Sequence, residues 1–154
     1  MATSIGWVSS IVINCVASEA LTKGWSVSLD LGATIANHPK ENTLDDPVIL
    51  VEKHDANAKF FGIAMTAAAV NDSVGICVFG LCDAVTGADI ALGEVVTADT
   101  DGSMKDCVVG TDPEHGVAVE AGSASGTTKI IVNAIAGNDD PVTAVRTGGG
   151  FGGA

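Results

Sequence analysis

Residues 60–80 decide the fold: Phe60-Phe61-Gly62-Ile63-Ala64-Met65-Thr66-Ala67-Ala68-Ala69-Val70-Asn71-Asp72-Ser73-Val74-Gly75-Ile76-Cys77-Val78-Phe79-Gly80. An apolar run, Ile63 to Met65, follows a glycine. Asn71, Asp72 and Ser73 favour a turn because each side chain can bond its own backbone. Ile76 to Phe79 is apolar again, so the stretch reads as strand, polar turn, strand. It returns as Gly116-Val117-Ala118-Val119-Glu120-Ala121-Gly122-Ser123-Ala124-Ser125-Gly126-Thr127-Thr128-Lys129-Ile130-Ile131-Val132-Asn133. The offset (116 − 62 = 54) holds without a gap. Gly62 falls on Gly116, Ile63 on Val117, Met65 on Val119, Ile76 on Ile130 and Val78 on Val132. An ungapped echo of this kind marks an internal repeat.

A second echo lies upstream. Lys23-Gly24-Trp25-Ser26-Val27-Ser28-Leu29-Asp30-Leu31-Gly32 matches Leu92-Gly93-Glu94-Val95-Val96-Thr97-Ala98-Asp99-Thr100-Asp101-Gly102. Its offset (93 − 24 = 69) exceeds the first by 15. We assign the extra residues to the segment between Gly32 and Lys59, where Pro39, Pro47 and several Asn and Asp break any regular pattern. Each half then consists of strand, turn and strand, followed by a hairpin. Over Trp25 to Leu31 the alternation of Trp25, Val27, Leu29 and Leu31 with Ser26, Ser28 and Asp30 predicts a strand with one wet face.

Outward from these halves, Val48 to Val51 reads as a short buried strand, Glu52 to Lys59 as a polar link and Leu81 to Ile90 as a connection. Cys107 to Gly110 is expected to pair with the Val95 strand across an Asp101-Gly102 turn. Val142 to Val145 reads as a short edge strand. The Ala-rich Ala67 to Val70 and the stretch Asp83 to Leu92 are taken as connections, not helices. Met1 to Asn14, with Trp7, Val8, Ile11, Val12 and Ile13, reads as an extended arm or first strand. The chain thus divides into an arm (1–14), a β-rich domain (15–145) and a flexible glycine-rich tail (146–154).

Composition excludes several classes. With 47% hydrophobic and 17% charged residues in 154, the chain suits one folded domain and not a disordered one. The net charge of −12, without a Lys/Arg cluster, argues against nucleic acid and anionic membranes as partners. No apolar run approaches the roughly 18 residues that span a bilayer. Met1-Ala2-Thr3-Ser4 lacks a basic region of the signal-peptide kind, so synthesis in the cytoplasm is expected, with Cys15, Cys77, Cys82 and Cys107 reduced. The Cys77–Cys82 spacing is wrong for a zinc knuckle, and the thiols read as small buried hydrophobes.

Catalytic patterns are weak. His54-Asp55 invites a hydrolase reading, but there is no Gly-x-Ser-x-Gly elbow. His38, His54 and His115 are therefore expected as solvated loop residues. Asp99-Thr100-Asp101-Gly102 lacks the later ligands of a calcium hand and reads as a hairpin turn. Asp45-Asp46 and Asp139-Asp140, each before a proline, read as solvated turns. No cofactor, metal or catalytic residue is assigned. The tryptophans are more informative, because Trp is enriched at interfaces. Trp7, Val8, Ile11, Val12 and Trp25 form the candidate interface set, with Trp25 also suited to the core.

These glycine-bounded strands resemble a known family. Leu21-Thr22-Lys23-Gly24, Phe61-Gly62-Ile63-Ala64-Met65, Val74-Gly75-Ile76-Cys77-Val78-Phe79-Gly80, Leu92-Gly93-Glu94-Val95-Val96 and Gly116-Val117-Ala118-Val119-Glu120-Ala121 are similar to segments of the small capsid decoration, or cement, proteins of tailed bacteriophages. The resemblance covers about residues 15 to 135. It implies an all-β, compact β-barrel or β-tulip-like domain. It also implies a homotrimer on the outer capsid surface that binds the major capsid protein and stabilises the mature shell. The apolar arm over Met1 to Asn14 would add a strand to an exposed capsid edge. A carbohydrate- or host-binding β-sandwich on the virion is the alternative, and the absence of Tyr weighs against it.

Overall fold

A computed structural model describes residues 10–30, 49–55, 58–108 and 110–134. Among them every regular element is a strand: β1 (Ile11–Ala17), β2 (Ser26–Leu29), β3 (Leu50–Lys53), β4 (Phe60–Ala64), β5 (Ser73–Val85), β6 (Val95–Ala98), β7 (Met104–Asp106), β8 (Gly116–Ala118) and β9 (Thr127–Asn133). The sheet runs β1-β3-β2-β4-β5-β9-β8-β6-β7, and β1 also pairs with β5. That extra pairing closes β1, β3, β2, β4 and β5 into a five-stranded barrel. Closure removes the exposed edges that an open sheet of this size would carry.

The repeat is visible in the registers. Ile63 pairs with Cys77 and Ala64 with Ile76 in β4·β5; at the first offset, Val117 pairs with Ile131 and Ala118 with Ile130 in β8·β9. β1 against β5 sets Ile13 on Ile76 and Val16 on Ser73, and the second half of β5 against β9 sets Cys82 on Ile130 and Val85 on Thr127. The second half of β5 is thus the counterpart of β1. β2 and β6 are related by the second offset, and Val51 and Met104 face the equivalent partners Leu29 and Ala98. The parallel pair of Ala17 with Val51 survives in the second half as one bridge, Thr86 to Met104. A second ring of five strands is therefore closed by a single bridge. The two units share β5.

Even the strained positions repeat. Asn71 (φ 67°) and Ser125 (φ 62°) are the non-glycine residues with positive φ among those described, and the first offset superposes them. In each, the amide donates across the barrel, to the Ala17 and Thr86 carbonyls respectively. Gly62 and Gly116 share another constraint. A methyl at Gly116 would stand 2.6 Å from the Ile131 carbonyl oxygen, and one at Gly62 would meet the equivalent Cys77 oxygen. Only glycine permits these close strand approaches.

Several expectations are corrected. Leu81 to Val85 is not a connection but the continuation of β5. Gly80, at φ 108°, marks the place where the strand passes from one barrel to the other. The strand opposite β6 is Met104–Asp106 and not Cys107 to Gly110; Cys107 adds only a hydrogen bond to the Val95 carbonyl. The strand expected over Val48 to Val51 lies over Leu50–Lys53. The wet face of β2 is dry, since Ser26 and Ser28 are both buried. The second unit covers that face, which a pattern within one strand could not reveal. The repeat's extra residues fall between Asp30 and Leu50, where the Asp30 amide still bonds the Leu50 carbonyl as Asp99 bonds Ser103. Val142 to Val145 and the tail over 146–154 lie outside the described residues.

Each barrel has its own core. In the first, Cys15, Leu21, Val27, Val51, Ala64, Ile76 and Val78 pack together. In the second, their counterparts Ala84, Ile90, Val96, Met104, Ala118, Ile130 and Val132 do so. Three residues of the first unit, Phe60, Ile63 and Cys77, join that second core. They pack the first unit against the second.

Candidate interaction surface

The outer faces of the two barrels meet different fates. In the first unit the outward pair Ile63 and Cys77 is fully buried, at 0% exposure, in the second core. In the second unit the equivalent pair Val117 and Ile131 is 40% and 42% exposed. Register extends the exposed pair into a row across four strands, with half-buried residues at its ends: Leu81 on β5 faces Ile131 on β9, Ile131 faces Val117 on β8, and Val117 faces Val95 on β6. Phe79, two residues from Leu81 on the same face of β5, is exposed and pairs with the exposed Ile11. Neighbouring strands stand about 4.8 Å apart, so the row spans roughly 14 Å. An aligned band of this kind differs from the scattered apolar residues of an ordinary surface.

Charge flanks the row. Lys129 donates to Asp83 at 2.8 Å, and Lys23 lies 3.8 Å from the same carboxylate. The hydrogen bond from Lys129, with the attraction of both lysines, holds the Asp83 carboxyl below its ordinary range. Asp101 is likewise lowered by its bonds to the Ser103 hydroxyl and amide, which fix the β6–β7 turn. Asp99-Thr100-Asp101-Gly102 is thus a tight hairpin turn, with Gly102 at φ 83°.

The residues singled out from sequence lie as follows. Trp7 and Val8 fall outside the described residues. Ile11 and Val12 open β1 and are about half exposed, at 50% and 47%. The end of the expected arm, Ile11 to Asn14, is within the sheet, paired with β5. It therefore serves as the first strand. Trp25 is half-buried between the units: Lys53 Nζ lies 5.4 Å from its ring, and the Gly102 turn packs against it. The row through Val117 and Ile131 is absent from the sequence-derived set. A signal for it exists, because Ile131 stands with Lys129 on the outward side of β9 between the inward Ile130 and Val132.

His54 and His115 are buried, against the expectation of solvated loops. They sit where the units meet, with ring centroids 6.1 Å apart and Phe60 stacked on His115 at 4.3 Å. His54 Nδ1 is 2.7 Å from the Ser28 hydroxyl, and His115 Nδ1 accepts the Ala98 amide at 3.0 Å. Such partners are what allow imidazoles inside a barrel. His38 lies outside the described residues.

The cysteines are free, and Cys15, Cys77 and Cys82 are buried. Burial pushes the Cys15 thiol up to about 11. The neighbouring Cys77 and Cys82 act on each other, lowering the Cys77 thiol and, together with burial, raising that of Cys82. Among the described residues no group of His, Cys, Asp or Glu could hold a metal ion. No helix among them is long and apolar enough to cross a membrane.

Comparison with known proteins follows the same lines. Residues 27–134 match the family described as phage cement protein. No curated protein matches in sequence. Among solved structures, the head fiber gp8.5 N base of bacteriophage phi29 superposes with a TM-score of 0.59 at 15% identity, over 82% of this chain and 96% of that one. At that identity the likeness is one of fold. The family match spans well over half of the sequence, from β2 to the end of β9, and so takes in most of both units. The chain belongs to the phage cement protein family and is a virion structural protein with an all-β, barrel-based fold.

Proposed function

We propose that the chain decorates the outer surface of a phage capsid as a homotrimer, binds the major capsid protein and stabilises the mature shell. The family match over residues 27–134 carries this reading. The phi29 neighbour, named as a head fiber base, supports it. So does the apolar row, exposed at Val117 and Ile131, since a brace needs surface to bury. A ligand that prefers the mature lattice stabilises it by mass action, and a trimer adds avidity. The sandwich alternative finds less support, because Trp25 is half-buried, with Lys53 over its ring and the Gly102 turn packed against it. The test is co-sedimentation of purified protein with expanded capsids, followed by thermal disruption of the decorated shells. Saturable binding with a higher disruption temperature is expected; no binding at any concentration would end the proposal.

A further inference from the structure

The geometry points to the Leu81–Ile131–Val117–Val95 row as the surface through which one copy of this chain binds a second copy. The inference rests on the oligomer reading above and names the face involved. The argument comes from the duplication itself. On the first barrel the equivalent pair, Ile63 and Cys77, is sealed by a unit of this fold, the second barrel of the same chain, and only Val12 at the β1 end of that row stays exposed. The second barrel keeps the same backbone registers and an apolar pair at the same two positions. It has no third unit behind it in the described chain, and the pair is left 40% and 42% exposed. A face built to be covered by a unit of this fold is met by another copy, which brings such a unit. The exposed row is also continuous with the existing interface. Phe79 and Leu81 lie on β5, the strand that both barrels share, beside Cys77 at the sealed junction.

The test is sedimentation equilibrium of the full chain without capsids. Wild type is compared with Val117→Lys/Ile131→Glu, whose opposite charges face each other across β8·β9 and suit an exposed sheet. Wild type is expected to form a closed oligomer. The double variant should associate at least about 100-fold more weakly, since two apolar contacts are lost and charge enters the face. Should it not fold, Val117→Thr/Ile131→Thr keeps β propensity and is expected to weaken association about 10-fold. A monomeric wild type overturns both this inference and the trimer reading, while capsid binding still tests decoration. A folded variant that associates as tightly as wild type overturns the inference alone. If that variant instead loses capsid binding, the row belongs to the capsid contact and not to a second copy. Loss of association in a protein that never bound capsids leaves the inference standing and removes the decoration reading.

Discussion

The two barrels share registers, turns and strained residues, yet the central outward pair of one is sealed and that of the other is open. Ile63 and Val117 occupy equivalent positions, one at 0% exposure and the other at 40%. Duplication copies the backbone; the neighbours then decide what each copied side chain does. In the first unit the outer pair became part of a core. In the second it remains available for binding.

The sharpest way to break this comparison is to add a methyl where strands approach too closely. Gly62→Ala and Gly116→Ala should each cost about 3 kcal/mol by overpacking against the opposite carbonyl. Gly62→Ala should cost the more, because Ile76 also crowds it. Urea unfolding measures both, and equal stability with wild type at either position would contradict the close approach. Next comes truncation of the outer pair. Ile63→Ala should cost about 3 kcal/mol as a core cavity, and Val117→Ala less than about 0.5 kcal/mol in dilute protein. Similar losses would mean that the faces are not different after all.

The junction between the units gives the third effect. His115→Ala removes the acceptor for the Ala98 amide and the ring stacked on Phe60, and should cost about 2 kcal/mol in the same unfolding assay. Smaller still is relief of backbone strain. Ser125→Gly should stabilise by about 0.5 kcal/mol, and Asn71→Gly by less, since Asn tolerates positive φ better than Ser. A drop in melting temperature for Ser125→Gly would contradict the turn geometry.

The smallest effect is electrostatic and belongs to the second unit alone. Asp83 and Lys129 correspond to Asn14 and Gly75 in the first, so only the second carries this ion pair. The Asp83 carboxyl is held below its ordinary value of 3.8 in the folded state. Its contribution is therefore present above that value and is lost as pH falls through the lower, folded one. Both side chains are exposed and screened, so Asp83→Asn should cost less than about 0.5 kcal/mol at neutral pH. The difference from wild type should vanish in acid melts.

Much of this is legible in the sequence because the repeat is ungapped. The first offset alone locates β4, β8 and β9, the turn residues Asn71 and Ser125, and the paired glycines Gly62 and Gly116. What stays hidden depends on contacts between the units. Ser26 and Ser28 alternate as a solvent face should, and only the second barrel lying over them makes them dry. His54 and His115 sit far apart in the chain and beside breakers, so nothing local shows that Phe60 and two hydroxyl-bearing strands enclose them. Leu81 to Val85 has the look of a link because a complete hairpin already precedes it. A strand that serves two barrels has no signature in a pattern that gives each strand one partner. Val117 and Ile131 escape the interface set for a related reason: apolar residues within a strand suit a core equally well.

The shared strand has a consequence for how the chain comes to be. A ribosome delivers β1 to β4 first, but the first barrel cannot shut until Ser73 to Phe79 has emerged. Past Gly80 the same strand then becomes the opening wall of the second. Neither half can be cut away with its wall complete, so the two should melt in one transition, and amides along β5 should be the last to exchange with deuterium.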